Sequence, residues 1–144
     1  MKRAVCVLAC IIAVPASAAD FRSIAEGGTV MYDAPSVKAK KLYVVSRDYP
    51  VEVVVNDGPW VKVRDVTGEL AWVERKSLSE RRLTVVSASI ADVREAPNDR
   101  AAVAFRAQQG VTMELTDIGN AGWAKVKLRD GRAGYVRISQ IWGL

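Results

Sequence analysis

The chain has 144 residues, 50% of them hydrophobic, with 21 Lys and Arg against 16 Asp and Glu for a net charge of +5, no histidine and two cysteines. Without histidine, Ser-His-Asp and Cys-His catalysis are excluded, and a zinc ion would lack its usual ligands. The positive excess is too modest to point to nucleic acid.

The N-terminus reads as an export signal. Met1, Lys2 and Arg3 give a charged start, Ala4 to Val14 is an unbroken apolar run, and Pro15 to Ala19 closes it with small residues. Residues 1–19 are therefore a signal peptide, cut after Ala18 or Ala19, and the product is periplasmic or secreted. The run is too short to span a bilayer, and no second apolar segment follows it. Lipidation of Cys10 is disfavoured, because bulky Leu8 stands at the second place before it and the apolar run continues beyond it. Cleavage removes Cys6 and Cys10, so no thiol or disulfide supports the mature fold. It also removes Lys2 and Arg3, leaving 19 basic against 16 acidic residues, a net charge of +3.

Phe21 to Gly28 reads as a lead-in, followed by a strand at Thr29 to Tyr32 and a stiff turn at Asp33, Ala34 and Pro35. A polar loop leads to apolar Leu42 to Val45, a turn at Asp48 to Pro50 and a strand at Val51 to Val55. After a loop at Asn56 to Pro59, Val61 and Val63 alternate with Lys62 and Arg64, the period of a half-buried strand. A turn at Asp65 to Gly68 then returns the chain through Trp72 and Val73, completing a hairpin. Leu83 to Ser87 is a further strand that either closes this unit or opens the next.

The whole pattern then recurs. Residues 60–78 superpose on 123–141 at a constant offset of 63, with Trp, Lys, Val, Gly and Val shared; Glu95, Ala96 and Pro97 repeat the proline turn at an offset of 62. The second hairpin turns on Asp130 and Gly131, a strong dipeptide for positive φ. Thr116 to Gly122 is longer than its counterpart by three residues, as expected of a loop. Short strands, frequent Gly and Pro turns and no helical period predict an all-β fold of two tandem small β-barrels, residues 20–82 and 83–144. No Gly/Ser linker separates them, so a stiff pair with a shared interface is expected.

Val93 to Pro97, Gln109 to Val111, Gly122 to Val126, Gly131 and Gly134 to Val136 resemble the bacterial SH3 domain family. The first unit resembles it through Tyr32 to Pro35, Gly58 to Val63, Gly68, Trp72 and Val73, with Ala71 replacing the family's usual Gly. The resemblance implies two SH3-like barrels, each partly open and five-stranded, with short helical turns at Lys76 to Ser79 and Ile138 to Ile141. It also implies binding or targeting modules of exported cell-wall proteins, which are commonly attached to wall hydrolases. Met31, Tyr32 and Asp33 are similar to the opening of eukaryotic SH3 domains, which hold proline-rich peptides. Glu74 and Arg137 stand where that groove carries its proline, and Ser77 or Gln140 where it carries tyrosine, which argues against proline-rich ligands.

Candidate ligand contacts follow from both readings. By alternation Trp60 shares a face with Lys62 and Arg64, where a ring beside cations stacks on a sugar or peptide, or is covered by their alkyl stems. Trp123 and Lys125 repeat the arrangement, and Tyr32 and Arg94 occupy matching places before the proline turns. The acids sit in turns or alternate with bases, so no carboxylate pair is marked out for glycan hydrolysis. The expectation is a non-catalytic tandem module without cofactor or metal, its partner being peptidoglycan, through peptide or glycan, and not nucleic acid. The alternative is an envelope protein-interaction adaptor or stabilising subunit.

Overall fold

The computed structural model describes residues 18–119 and 121–144. Residues 1–17 of the export signal, Cys10 among them, fall outside the described residues. No helix among the described residues is long and apolar enough to cross a membrane.

Two antiparallel sheets of seven strands make up the fold. The first contains β1 (Asp20–Ile24), β2 (Thr29–Tyr32), β3 (Lys41–Val45), β4 (Pro50–Asp57), β5 (Trp60–Arg64), β6 (Leu70–Glu74) and β7 (Leu78–Ser79). The second contains β8 (Leu83–Val86), β9 (Ile90–Arg94), β10 (Val103–Gln108), β11 (Thr112–Ile118), β12 (Trp123–Lys127), β13 (Ala133–Arg137) and β14 (Ile141–Trp142). Their spatial orders are β3-β2-β6-β5-β4-β1-β7 and β10-β9-β13-β12-β11-β8-β14, the same permutation twice. Three-residue 3₁₀ turns at Arg75–Ser77 and Ile138–Gln140 precede the last strand of each sheet, where helical turns are expected.

The structure corrects the strand count. Five strands per unit are expected and seven are found, because Asp20–Ile24 forms β1 instead of an irregular lead-in, pairing with β4, and because the short β7 (Leu78–Ser79) pairs with it in turn. Ser23 is wholly buried there beside Phe21 and Ile24, so the polar position that hides the strand in sequence lies inside the fold. β8 takes the same role in the second sheet, pairing with β11 and β14, and therefore opens the second unit. Each hydrogen-bonded order ends at β3 and β7, or at β10 and β14, so the strands do not close into a barrel by pairing.

The alternation in β5 does what the sequence implies: Val61 and Val63 are buried, while Trp60, Lys62 and Arg64 are half-buried on the other face. Val61, Val63, Val51, Ile24, Met31 and Val73 form the first core, and Val93, Met113, Val126, Val136 and Phe105 the centre of the second. Each such side chain contributes roughly 1.5–3 kcal/mol on burial. Asp65 organises the first β5–β6 turn, its Oδ1 accepting from Thr67 N at 2.9 Å, Thr67 Oγ1 at 2.6 Å and Glu69 N at 3.0 Å. Tyr43 Oη donates to Asp65 Oδ2 at 3.4 Å. Burial first, then the Asp65 charge, pushes the Tyr43 hydroxyl up to about 12.

Both long hairpins extend further than expected. Val53 to Val55 and Leu115 to Asp117 are bulges, beyond which β4 and β11 continue as exposed ribbon to Asp57 and Ile118. The expected loop at Asn56 to Pro59 thus shrinks to Gly58 and Pro59, with Gly58 at φ 53°. The sheets touch through Phe21, whose ring meets Trp142 edge-on at 5.0 Å, and through the ion pair of Arg129 with Asp48.

Candidate functional site

In the first sheet, Tyr32 ends β2 and Trp60 opens β5, on opposite sides of β6. Cross-strand pairing with Trp72 and Glu74 of β6 sets Tyr32 and Trp60 on one face of the sheet, Tyr32 only 8% exposed and Trp60 half-buried, and the rings meet edge-on with centroids 5.4 Å apart at 88°. Hydrogen bonding fixes the neighbouring wall. Arg75 donates from its backbone N to Pro59 O at 2.8 Å and from Nε to Gly58 O at 2.7 Å, tying the 3₁₀ turn to the β4–β5 hairpin.

Between this turn and the β1–β2 connection lies an open cavity of about 400 Å³, lined by Glu26, Gly28, Tyr32, Glu74, Lys76 and Ser77 among others. Gly28 adopts φ 81°, a backbone conformation that a side chain would strain. Two carboxylates therefore stand beside an aromatic edge. Lys76 pairs with Glu74 at 3.0 Å, but it is 79% exposed, so the pair is screened and weak. The geometry suits a ligand with a cationic amine and an apolar or planar part.

Lys62 does not line this cavity. Its Nζ lies 5.9 Å from the Trp72 ring centroid, farther along the same face. Lys125 sits over Tyr135 at 5.8 Å in the repeat.

The second unit places the corresponding residues differently. Trp123 is only 3% exposed, and the Arg137 guanidinium covers its ring at 4.5 Å. Of the two readings expected for this ring, cover by a cationic side chain is the one found: it is packed beneath Arg137. Arg137 is itself held by Asp99 of the β9–β10 connection, through Nη2 and through Nε at 3.2 Å. Arg94, at the place of Tyr32, donates to Ala101 O at 2.9 Å and Asp92 Oδ2 at 3.4 Å. The six sequence-selected residues thus fall into three groups. Tyr32 lines the cavity with Trp60 packed against it, Lys62 and Lys125 lie over Trp72 and Tyr135, and Arg94 and Trp123 are engaged by their own chain.

In the sequence, Glu74 and Arg137 stand out only as departures from a proline groove. Their constant offset was the available signal: a charge reversal at one position of a repeat gives its two copies different surfaces. Glu26, in the stretch read as a lead-in, carried no such signal.

The family described as the bacterial SH3 domain matches residues 25–80 and again residues 87–143. No curated protein matches the chain. Among solved structures, NlpC1 from Trichomonas vaginalis is similar at 17% identity and a TM-score of 0.37, over 94% of this chain and 50% of that one. NlpC2 from the same organism gives 16% and 0.38, over 88% and 49%. An NlpC/P60 family protein from Bacillus cereus gives 14% and 0.39, over 85% and 55%. The chain spans about half the length of these proteins.

Proposed function

The chain belongs to the bacterial SH3 domain family, which accounts for both of its units, and from that premise we propose that it is an exported, non-catalytic module that binds cell-wall peptide through its first unit. Each unit is read as an SH3-like barrel. The observation that carries the proposal is the cavity that Tyr32 lines together with Glu26 and Glu74, with Trp60 backing the Tyr32 ring at 5.4 Å. Carboxylates attract amines and aromatic edges pack against aliphatic stems, so a short peptide with a free amine fits this groove better than a neutral glycan. The N-terminal leader supports export, and the absence of histidine supports a binding role in place of catalysis.

Co-sedimentation of the exported protein with purified peptidoglycan sacculi tests this. Retention that survives moderate salt is expected, and is expected to fall in Trp60→Ala and Glu74→Gln. Retention lost on adding salt would reduce the interaction to general charge attraction. An adaptor role towards another envelope protein is the second reading, favoured by β3, an edge strand on which Leu42 is 39% and Val44 63% exposed. No retention at any salt would favour it.

A further inference from the structure

A larger cavity lies between the two sheets and shares no lining residue with the aromatic groove. Its volume is about 570 Å³, within the span of roughly 300–1,000 Å³ typical of small-molecule sites. Its charges come from three parts of the chain. Arg47 and Asp48 stand in the β3–β4 turn, Arg81 in the β7–β8 connection, and Glu114, Lys127 and Arg129 on β11, β12 and the turn after β12. Four cations face two carboxylates, a local excess of two positive charges.

Asp48 is the organising group. It sits at φ 67°, its backbone N donates to Ile24 O at 2.9 Å, and its side chain is only 11% exposed. Its Oδ1 accepts from Arg81 Nη1 at 2.9 Å and its Oδ2 from Arg129 Nη2 at 2.5 Å. Arg81 also reaches Glu114 at 3.5 Å. One buried carboxylate thus anchors two guanidinium groups and uses a minority of their five N–H donors each. Arg47 and Lys127 carry no ion pair among the described residues. A Lys or Arg cluster with anchored guanidinium groups and unneutralised charge is suited to an oxyanion, which accepts several charge-assisted hydrogen bonds at once.

We propose that this inter-sheet cleft is a second binding site, for a doubly charged oxyanion: a phosphate group or two neighbouring carboxylates. The cations come from both sheets, so an anion held there links the two units and is expected to raise their melting together. The site stands apart from the aromatic groove and does not depend on what that groove binds.

The test is an NMR titration of the exported protein at low ionic strength with inorganic phosphate, with malonate and with chloride as a singly charged control. Phosphate or malonate should shift the amides of Arg47, Lys127 and Arg129 saturably, and whichever binds more tightly identifies the source of charge. Arg47→Ala and Lys127→Ala should each weaken binding about tenfold, the loss of one charge-assisted hydrogen bond. The melting temperature of Lys127→Ala without ligand should stay unchanged, since that side chain is exposed and makes no ion pair among the described residues, whereas Arg47→Ala also loses the Nε bond to Ala25 O at 3.0 Å and should melt slightly lower. Trp60→Ala should bind the anion as well as the parent does. The proposal is overturned if neither dianion shifts these amides, if chloride does so equally, or if Lys38→Ala with Lys40→Ala weakens binding as much.

Discussion

Replacing Trp123 by Ala should cost the protein much of its second unit, whereas Trp60→Ala should leave the first unit folded. Trp123 is 3% exposed, so truncation removes a fully enclosed ring and leaves a cavity, at roughly 3–5 kcal/mol for an aromatic-to-Ala change in a core. The Arg137 guanidinium loses its ring partner at the same time, about a further 0.5–1 kcal/mol at a partly exposed site. A unit of some sixty residues holds only about 3–9 kcal/mol in total, so the second unit is brought close to its unfolding threshold. Trp60 is half-buried and its main neighbour is the Tyr32 edge, which limits its loss to about 1–3 kcal/mol. Urea denaturation followed by far-ultraviolet circular dichroism measures both variants without relying on the altered fluorophores. The reasoning fails if Trp60→Ala proves as damaging as Trp123→Ala, or if Trp123→Ala is nearly neutral.

Gly134→Ala should destabilise the protein by about 2–3 kcal/mol, at the upper end of overpacking, because an added Cβ would lie 2.6 Å from Arg94 O and 2.8 Å from Val93 Cγ1. Its counterpart Ala71 is already accommodated at 2% exposure, so Ala71→Gly should cost only about 0.5–1 kcal/mol; thermal melts of the two variants check the contrast. Tyr43 is an acid whose folded pKa is raised, so its contribution to stability is complete below pH 10 and is lost as pH rises through about 12. Tyr43→Phe should therefore flatten the loss of stability above pH 10 in urea titrations, and an unchanged alkaline profile would refute the assignment.

The hairpins were legible because their signals are local. Val61 and Val63 alternate with charged neighbours, and Asp130-Gly131 makes its own turn. The repeat extended each local reading to a second copy. β1 was not legible, since Phe21, Ser23 and Ile24 show no clean alternation and Ser23 is buried by distant strands. The extended ribbons past the bulges were also hidden, because exposed Val54 and Val55 read as ordinary strand and Asn56-Asp57 as loop.

The candidate groove was legible in part. The sequence brought Tyr32 and Trp60 forward as candidates, and they meet. It gave Trp123 the same standing, because the two tryptophans occupy one position of the repeat. What separates them lies elsewhere in the chain: Arg137 in place of Glu74, and Asp99 in the facing loop to hold it. The Asp48 cluster between the sheets depends on how the units dock, which no local pattern encodes.

The central claim is that the first unit's groove, and not its counterpart, receives cell-wall peptide. The most direct measurement is the set of indole N–H signals from the four tryptophans during titration with soluble, amine-bearing muropeptides. The Trp60 signal should shift saturably, through its contact with Tyr32, while the Trp123 signal stays in place. A saturable shift of Trp123 with Trp60 unmoved would contradict it.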